Sequence, residues 1–209
     1  MAAEYGAALE RLASAYEASS LIGSSGGGGY YAGAVFLSRR CLGACRQRPP
    51  EKAVGLLEEF IRNDPRNGEA RLLFGSLLAS NGNLAEAITQ LKEAAHLLPN
   101  SAEAHNALGE AFNSAKNAKQ AREEFEKAVQ LNAKLAHAQA NLGMALGEAG
   151  ELAAAAQHLD QAIKIMGETE DAAVPHYLRA KVYTEEGEKE KARREHHAAN
   201  SLCVLPGRG

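Results

Sequence analysis

Residues 102–109, Ala-Glu-Ala-His-Asn-Ala-Leu-Gly, are the clearest guide to how this 209-residue chain folds. Related stretches lie 34 residues away on either side: Gly-Glu-Ala-Arg-Leu-Leu-Phe-Gly at 68–75 and Ala-His-Ala-Gln-Ala-Asn-Leu-Gly at 136–143. An alanine follows the closing glycine of each stretch by twelve residues, at Ala87, Ala121 and Ala155. Because two small residues allow two helices to approach closely, the spacing predicts a repeated pair of packed helices.

Larger apolar residues keep the same register and give each half of the repeat an amphipathic pattern. The second halves carry Leu91, Phe125 and Leu159 at one equivalent position. Apolar residues three and four apart on both halves indicate amphipathic helices. The turn between the halves contains glycine in most copies, which favours a left-handed residue at the end of the first helix; these are Gly82, Gly150 and Gly187.

This pattern resembles the tetratricopeptide repeat (TPR), a 34-residue helix-turn-helix unit with Leu-Gly early in the first helix and alanines in the second. The resemblance implies an all-α fold, a TPR-type α-solenoid in which antiparallel helix pairs stack into a right-handed superhelix. We predict about five repeats within residues 34–206, at 34–67, 68–101, 102–135, 136–169 and 173–206. The last copy departs from the family pattern, with Arg179 at a large apolar position and His196 where Leu or Phe is usual.

Residues 1–33 do not follow the period and are predicted to be a separate N-terminal region. Residues 4–19 read as one amphipathic helix, and residues 23–29 have the Gly/Ser-rich composition of a flexible linker. The first repeat matches the pattern well only in its second helix, over residues 52–64.

Composition excludes several functional classes. The net charge of −3 argues against a general nucleic-acid binder, and the chain has no apolar run of the roughly 18–20 residues that insertion into a membrane requires. Three cysteines, Cys41, Cys45 and Cys203, cannot all be paired within the chain, which favours a reducing compartment. We therefore predict a cytoplasmic protein, and a periplasmic form whose signal has been removed stays open.

The sequence contains no recognisable catalytic, cofactor or metal site. Gly-x-Ser-x-Gly and His-Glu-x-x-His motifs are absent, and no two of the seven histidines lie four residues apart on a predicted helix. The carboxylates of Glu123 and Glu124 fall on a second helix, which is expected to face outward. Cys41 occupies a small-residue packing position, and the cluster of Arg39, Arg40, Arg46 and Arg48 reads as a solvated helix face. We predict no enzyme activity, no cofactor and no metal.

The family resemblance then predicts the function. In TPR proteins the first helices line a concave groove that receives an extended peptide or a partner helix, so we predict a non-enzymatic protein-protein interaction module or scaffold. The alternative is a regulatory or substrate-selecting TPR arm of a larger enzyme, similar to that of O-GlcNAc transferase. The partner-binding residues predicted from the register are Asn106, Glu110, Asn113, Asn141, Met144, Tyr177 and Lys181. We therefore predict that the partner is a protein or a peptide, and its identity stays open.

One known mode of TPR binding is not expected. TPR co-chaperones hold the C-terminal carboxylate of a chaperone with a clamp of Lys, Asn and Arg residues, and the matching positions here lack the cations. At these positions the chain has Glu110 and Leu178, for example, and of the clamp residues only Asn141 is present in that window. We therefore predict no chaperone carboxylate clamp.

Overall fold

The computed structural model of the chain describes residues 57–58 and 61–202, and these residues are helical without strands. Short helical segments at residues 57–58 and 61–63 precede eight longer helices. The helices are α1 (Gly68–Ser80), α2 (Leu84–Leu97), α3 (Ala102–Ser114), α4 (Ala118–Leu131), α5 (Ala136–Glu148), α6 (Leu152–Met166), α7 (Ala173–Glu185) and α8 (Lys189–Leu202). A 3-10 turn, Glu170–Ala172, immediately precedes α7. The predicted all-α fold is confirmed.

The helices pack as consecutive antiparallel pairs: α1 with α2, α3 with α4, α5 with α6, and α7 with α8. The second helix of each pair also packs on the first helix of the next pair. Successive first helices contact one another along the stack, and they line the inner side of the solenoid. The surface formed by α1, α3, α5 and α7 is called the first-helix face below.

Close approach within each pair depends on a glycine in the first helix. A Cβ atom added to Gly109 would lie 2.6 Å from Cδ1 of Phe125 and 3.2 Å from the carbonyl oxygen of Ala121. Gly75 and Gly143 have equivalent surroundings against α2 and α6. The predicted contact between the small residues of the two helices is therefore present, and the large apolar residue one turn beyond the alanine fills the space above the glycine.

The turns between paired helices share one left-handed residue. Gly82, Gly150 and Gly187 have φ values of 83°, 81° and 81°, as expected from their position. Lys116 occupies the equivalent place in the turn between α3 and α4 and has a φ of 66°. A side chain in this conformation costs about 1–2 kcal/mol, so this turn is locally less favourable than its neighbours.

Each pair is also joined by one polar contact between side chains nineteen residues apart. Nitrogen and oxygen atoms lie 2.6–2.7 Å apart in all four, which are Arg71–Gln90, His105–Glu124, Gln139–His158 and His176–Glu195. The last pair keeps the spacing even though extra residues separate α6 from α7. We call these contacts the interhelical pairs.

The departures at the last helix pair are accommodated by polar contacts. The guanidinium of Arg179 lies 2.7 Å from Oδ1 of Asp160 on α6 and donates to the hydroxyl of Tyr183. Burial opposes the charge of Arg179, yet the hydrogen bond to Tyr183 and the nearby carboxylates raise its pKa above the ordinary value. Arg179 thus substitutes an ionic contact between helices for the usual apolar one.

Several sequence-based predictions lie outside the described residues. They concern the helix at 4–19, the linker at 23–29, the arginine cluster and the three cysteines. The predicted repeat boundaries and the cytoplasmic location stay predictions. Within the described part of the chain, no helix has the length and apolar character that crossing a membrane demands.

Candidate functional site

Three of the predicted partner-binding residues form one hydrogen-bonded cluster on the first-helix face. Glu110 lies one turn after Asn106 on α3, and Asn141 faces them from α5. The side-chain amides of Asn106 and Asn141 each donate to Oε1 of Glu110 at 2.9 Å. Asn141 also donates to Oδ1 of Asn106 at 3.0 Å, so two neighbouring helix pairs meet at this carboxylate.

The two asparagines are buried while the carboxylate is exposed. Asn106 is 9% exposed and Asn141 is 8% exposed, whereas Glu110 is an exposed residue. Within the described chain, Oε2 of Glu110 accepts no hydrogen bond, and no cationic side chain lies within ion-pair distance of either oxygen. The cluster therefore orients a carboxylate whose second oxygen and whole negative charge are available to a binding partner.

The other four predicted residues are spread along the same face and do not join this cluster. Asn113 is half-buried on α3, and Lys181 is exposed on α7. Met144 is only 6% exposed on α5 and so contributes little surface. Tyr177 is half-buried with its ring packed edge-on against His196 of α8, the centroids 5.6 Å apart. That any of the seven residues contacts a partner stays a prediction.

The charge of the first-helix face is unbalanced. Five glutamates on the four first helices are exposed: Glu69, Glu103, Glu110, Glu148 and Glu185. Lys181 is the exposed lysine on these helices; their two arginines, Arg71 and Arg179, are turned toward Gln90 and Asp160. The face thus presents carboxylates to solvent, while two of the three cationic side chains described on the first helices contact residues of second helices.

The interhelical pairs have their own electrostatics. The prediction that Glu124 faces outward is wrong, because its carboxylate is half-buried and lies 2.6 Å from Nδ1 of His105. Burial alone would raise the pKa of Glu124, but hydrogen bonds from Lys127 and His105 lower it below the ordinary value. Burial lowers the pKa of His158, whose Nδ1 lies 2.7 Å from the amide oxygen of Gln139.

The interhelical pairs hold the two helices of each pair together. Each polar side chain in an interhelical pair has a polar partner on the facing helix. In the part of the chain that the structure describes, no three His, Cys, Asp or Glu side chains gather in a way that could hold a metal ion. What the first-helix face offers is hydrogen bonding and negative charge, which suits binding.

Sequence reasoning named the members of the Glu110 cluster but missed their mutual hydrogen bonds. It also missed the interhelical pairs. A signal for the pairs was available, since polar residues of matching chemistry recur nineteen residues apart in consecutive repeats. The sequence signal for the Glu110 cluster is weaker, because Asn106 and Asn141 lie 35 residues apart and so occupy different positions of the 34-residue period.

Comparison with known families identifies the repeats. A family profile described as TPR repeat matches residues 75–116, and one described as tetratricopeptide repeat matches residues 102–135. No curated protein matches the chain in sequence.

Solved structures with the same fold include MamA, YrrB and related chains. A crystal structure of MamA is 25% identical, with a TM-score of 0.62, over 72% of this chain and 86% of that one. MamA 41-end from Desulfovibrio magneticus RS-1 is 23% identical, with a TM-score of 0.64, over 80% and 91%. YrrB, described as a TPR protein with an unusual peptide-binding site, is 20% identical, with a TM-score of 0.59, over 76% and 79%. The resemblance to the tetratricopeptide repeat family is therefore confirmed, in sequence over residues 75–135 and in fold over most of the chain.

Proposed function

We propose that this chain is a protein-interaction scaffold that binds an extended segment of a protein partner along its first-helix face. The single observation that carries the proposal is the exposed, oriented carboxylate of Glu110, held by amides from two neighbouring helix pairs. Glu110, Asn113, Tyr177 and Lys181 would contact the partner. Asn106 and Asn141 would act mainly by positioning Glu110, since both are almost fully buried.

The physical basis is that a solenoid exposes a long, continuous surface on one side. An extended peptide carries unpaired backbone N–H and C=O groups along its length, and polar side chains on successive helices can satisfy them. The half-buried side chain of Asn113 makes no hydrogen bond within the described chain and offers both a donor and an acceptor. Tyr177 adds apolar area beside these polar groups.

The comparisons support the class of function. Tetratricopeptide repeats and a fold like that of MamA and YrrB favour a non-catalytic interaction module. The description of YrrB as having a peptide-binding site supports a peptide as the ligand.

Peptide selection against the whole chain tests the proposal. Peptides enriched from a displayed random library would be titrated against the unmodified chain and against Asn113→Ala, which removes one amide from the first-helix face. The matched control, Gln157→Ala, removes the same group from an exposed position of α6, a second helix. We expect weaker binding only in the first variant. Equal affinity in both variants, or no enriched peptide, would refute binding at this face.

A further inference from the structure

We infer that the segment bound on the first-helix face is basic, and that Glu110 receives one of its arginine or lysine side chains. The inference rests on the proposed function, because it specifies the chemistry of the partner that the same face would bind. It is carried by the geometry around Glu110 and by the charge distribution over the four first helices.

The carboxylate of Glu110 is held in place before any partner arrives. Its Oε1 accepts hydrogen bonds from Asn106 and Asn141. Rotating the carboxylate away would remove the acceptor of the buried Asn106 amide and one of the two acceptors of the Asn141 amide. An acceptor that is already ordered loses little side-chain entropy on binding. The free Oε2 can therefore accept a hydrogen bond from a guanidinium or an ammonium group at low entropic cost.

The charge of Glu110 is also not neutralised within the described chain. Two acids that take part in contacts between helices differ in this respect: Glu124 faces Lys127 and His105, and Asp160 faces Arg179. The amides around Glu110 donate hydrogen bonds but carry no net charge. A cationic partner would supply the missing positive charge.

The surroundings reinforce this preference for a basic partner. Four further exposed glutamates lie on the first helices, whereas Lys181 is their exposed lysine. Their two arginines contact Gln90 and Asp160, on second helices. Complementary charge favours the encounter with a basic segment, while an acidic segment would meet like charge along the face.

A purely structural role for Glu110 predicts a different outcome for one substitution. Glutamine is almost the same size, and its amide oxygen can accept the same two hydrogen bonds from Asn106 and Asn141. Glu110→Gln should therefore preserve the contact between α3 and α5 while removing the charge. If Glu110 serves only to join the helix pairs, peptide binding will not depend on this change.

The test uses three fluorescent peptides of equal length in which serine alternates with arginine, with glutamine or with glutamate. We expect the unmodified full chain to bind the arginine peptide about tenfold more tightly than the glutamine peptide, with the glutamate peptide weakest. Glu110→Gln should remove most of that difference in affinity between the arginine and glutamine peptides. The control is Glu123→Gln, which makes the same charge change at an exposed position of α4 and should leave all three affinities unchanged. Thermal unfolding of both variants checks that the fold is preserved.

Four results would overturn the inference. The arginine peptide could fail to bind, or it could bind no better than the glutamine peptide. Glu110→Gln could leave the preference for the arginine peptide in place, or Glu123→Gln could weaken binding of that peptide as much as Glu110→Gln, which would indicate unspecific charge attraction. The second result leaves the proposed function intact if Asn113→Ala still weakens binding of the glutamine peptide. The experiment therefore distinguishes failure of the basic-segment inference from failure of the proposed binding at the first-helix face.

Discussion

Replacing Gly109 with alanine should destabilise the protein, although alanine is normally the better helix former. The new methyl group would lie 2.6 Å from both Cδ1 and Cε1 of Phe125, well inside van der Waals contact. Phe125 is fully buried, so its ring has little room to move away. The carbonyl oxygen of Ala121 limits the methyl group from the other side at 3.2 Å.

The expected magnitude combines two opposing effects. Overpacking a tight core costs about 1–3 kcal/mol, while replacing glycine with alanine inside a helix contributes about 0.5–1 kcal/mol of stability. The net effect is a loss of between about 0 and 2.5 kcal/mol in the free energy of unfolding, with a central value of about 1 kcal/mol. For a chain of this size that corresponds to a decrease of several degrees in the thermal midpoint.

Gly147 provides the control because it is the penultimate residue of the next first helix, α5, and has more space around it. A Cβ atom added there would lie 3.7 Å from Cγ2 of Val182 and 3.8 Å from Cβ of Ala155, which are ordinary contact distances. Gly147→Ala should therefore stabilise the protein by about 0.5–1 kcal/mol. Urea unfolding followed by far-UV circular dichroism measures both variants. If Gly109→Ala is as stable as Gly147→Ala, the close approach of α3 and α4 is not the constraint that we infer.

Four further outcomes are expected. Ala121→Leu should overpack the same contact from the second helix and cost about 1–3 kcal/mol in urea unfolding, and an unchanged midpoint would show that the register is wrong. Lys116→Gly should raise the free energy of unfolding by about 1 kcal/mol because glycine adopts a positive φ without strain. Its control, Glu123→Gly, lies in an exposed helix interior and should lower the free energy of unfolding by about 1 kcal/mol. Thermal melts that rank the two variants the other way would contradict this prediction. The free energy of unfolding should fall as the pH drops below 6.5, the ordinary pKa of histidine, because burial lowers the pKa of His158 and the unfolded chain therefore takes up a proton first. His158→Gln should flatten this part of the pH-stability profile. If the profiles of the variant and the unmodified chain run parallel, His158 is not the titrating group. A peptide ending in Glu-Glu-Val-Asp should show no binding in a titration because the first-helix face lacks a cluster of cations, and micromolar affinity would refute that prediction.

The fold could be predicted because its determinants are local and periodic. Glycine and alanine recur twelve residues apart, and each recurrence specifies where two helices touch, independently of the rest of the chain. The left-handed turns followed from glycine for the same reason. Lys116 shows the limit of this reasoning, because its positive φ is imposed by the helices on either side and not by its own preference.

The site could be predicted only in part because it depends on how neighbouring helix pairs rotate against each other. The 34-residue period places Asn106 and Glu110 on one face of α3. It does not reveal that Asn141 of α5 donates to Oε1 of Glu110, the oxygen that also accepts from Asn106. The side of a helix that a polar residue faces is likewise decided by its partner. Glu124 was expected to face solvent and instead contacts His105, since a buried acid is tolerated where a donor meets it.

The interhelical pairs bear on how an array of this kind can change during evolution. Both members of a pair belong to the same repeat, so duplicating or deleting a whole repeat carries a matched donor and acceptor with it. Exchanging a single helix would not do so: His158 brought opposite His105 would set two imidazoles against each other, and Glu124 would lose its histidine. The heritable unit of this protein is therefore the helix pair, and substitutions at the two positions are expected to arise together.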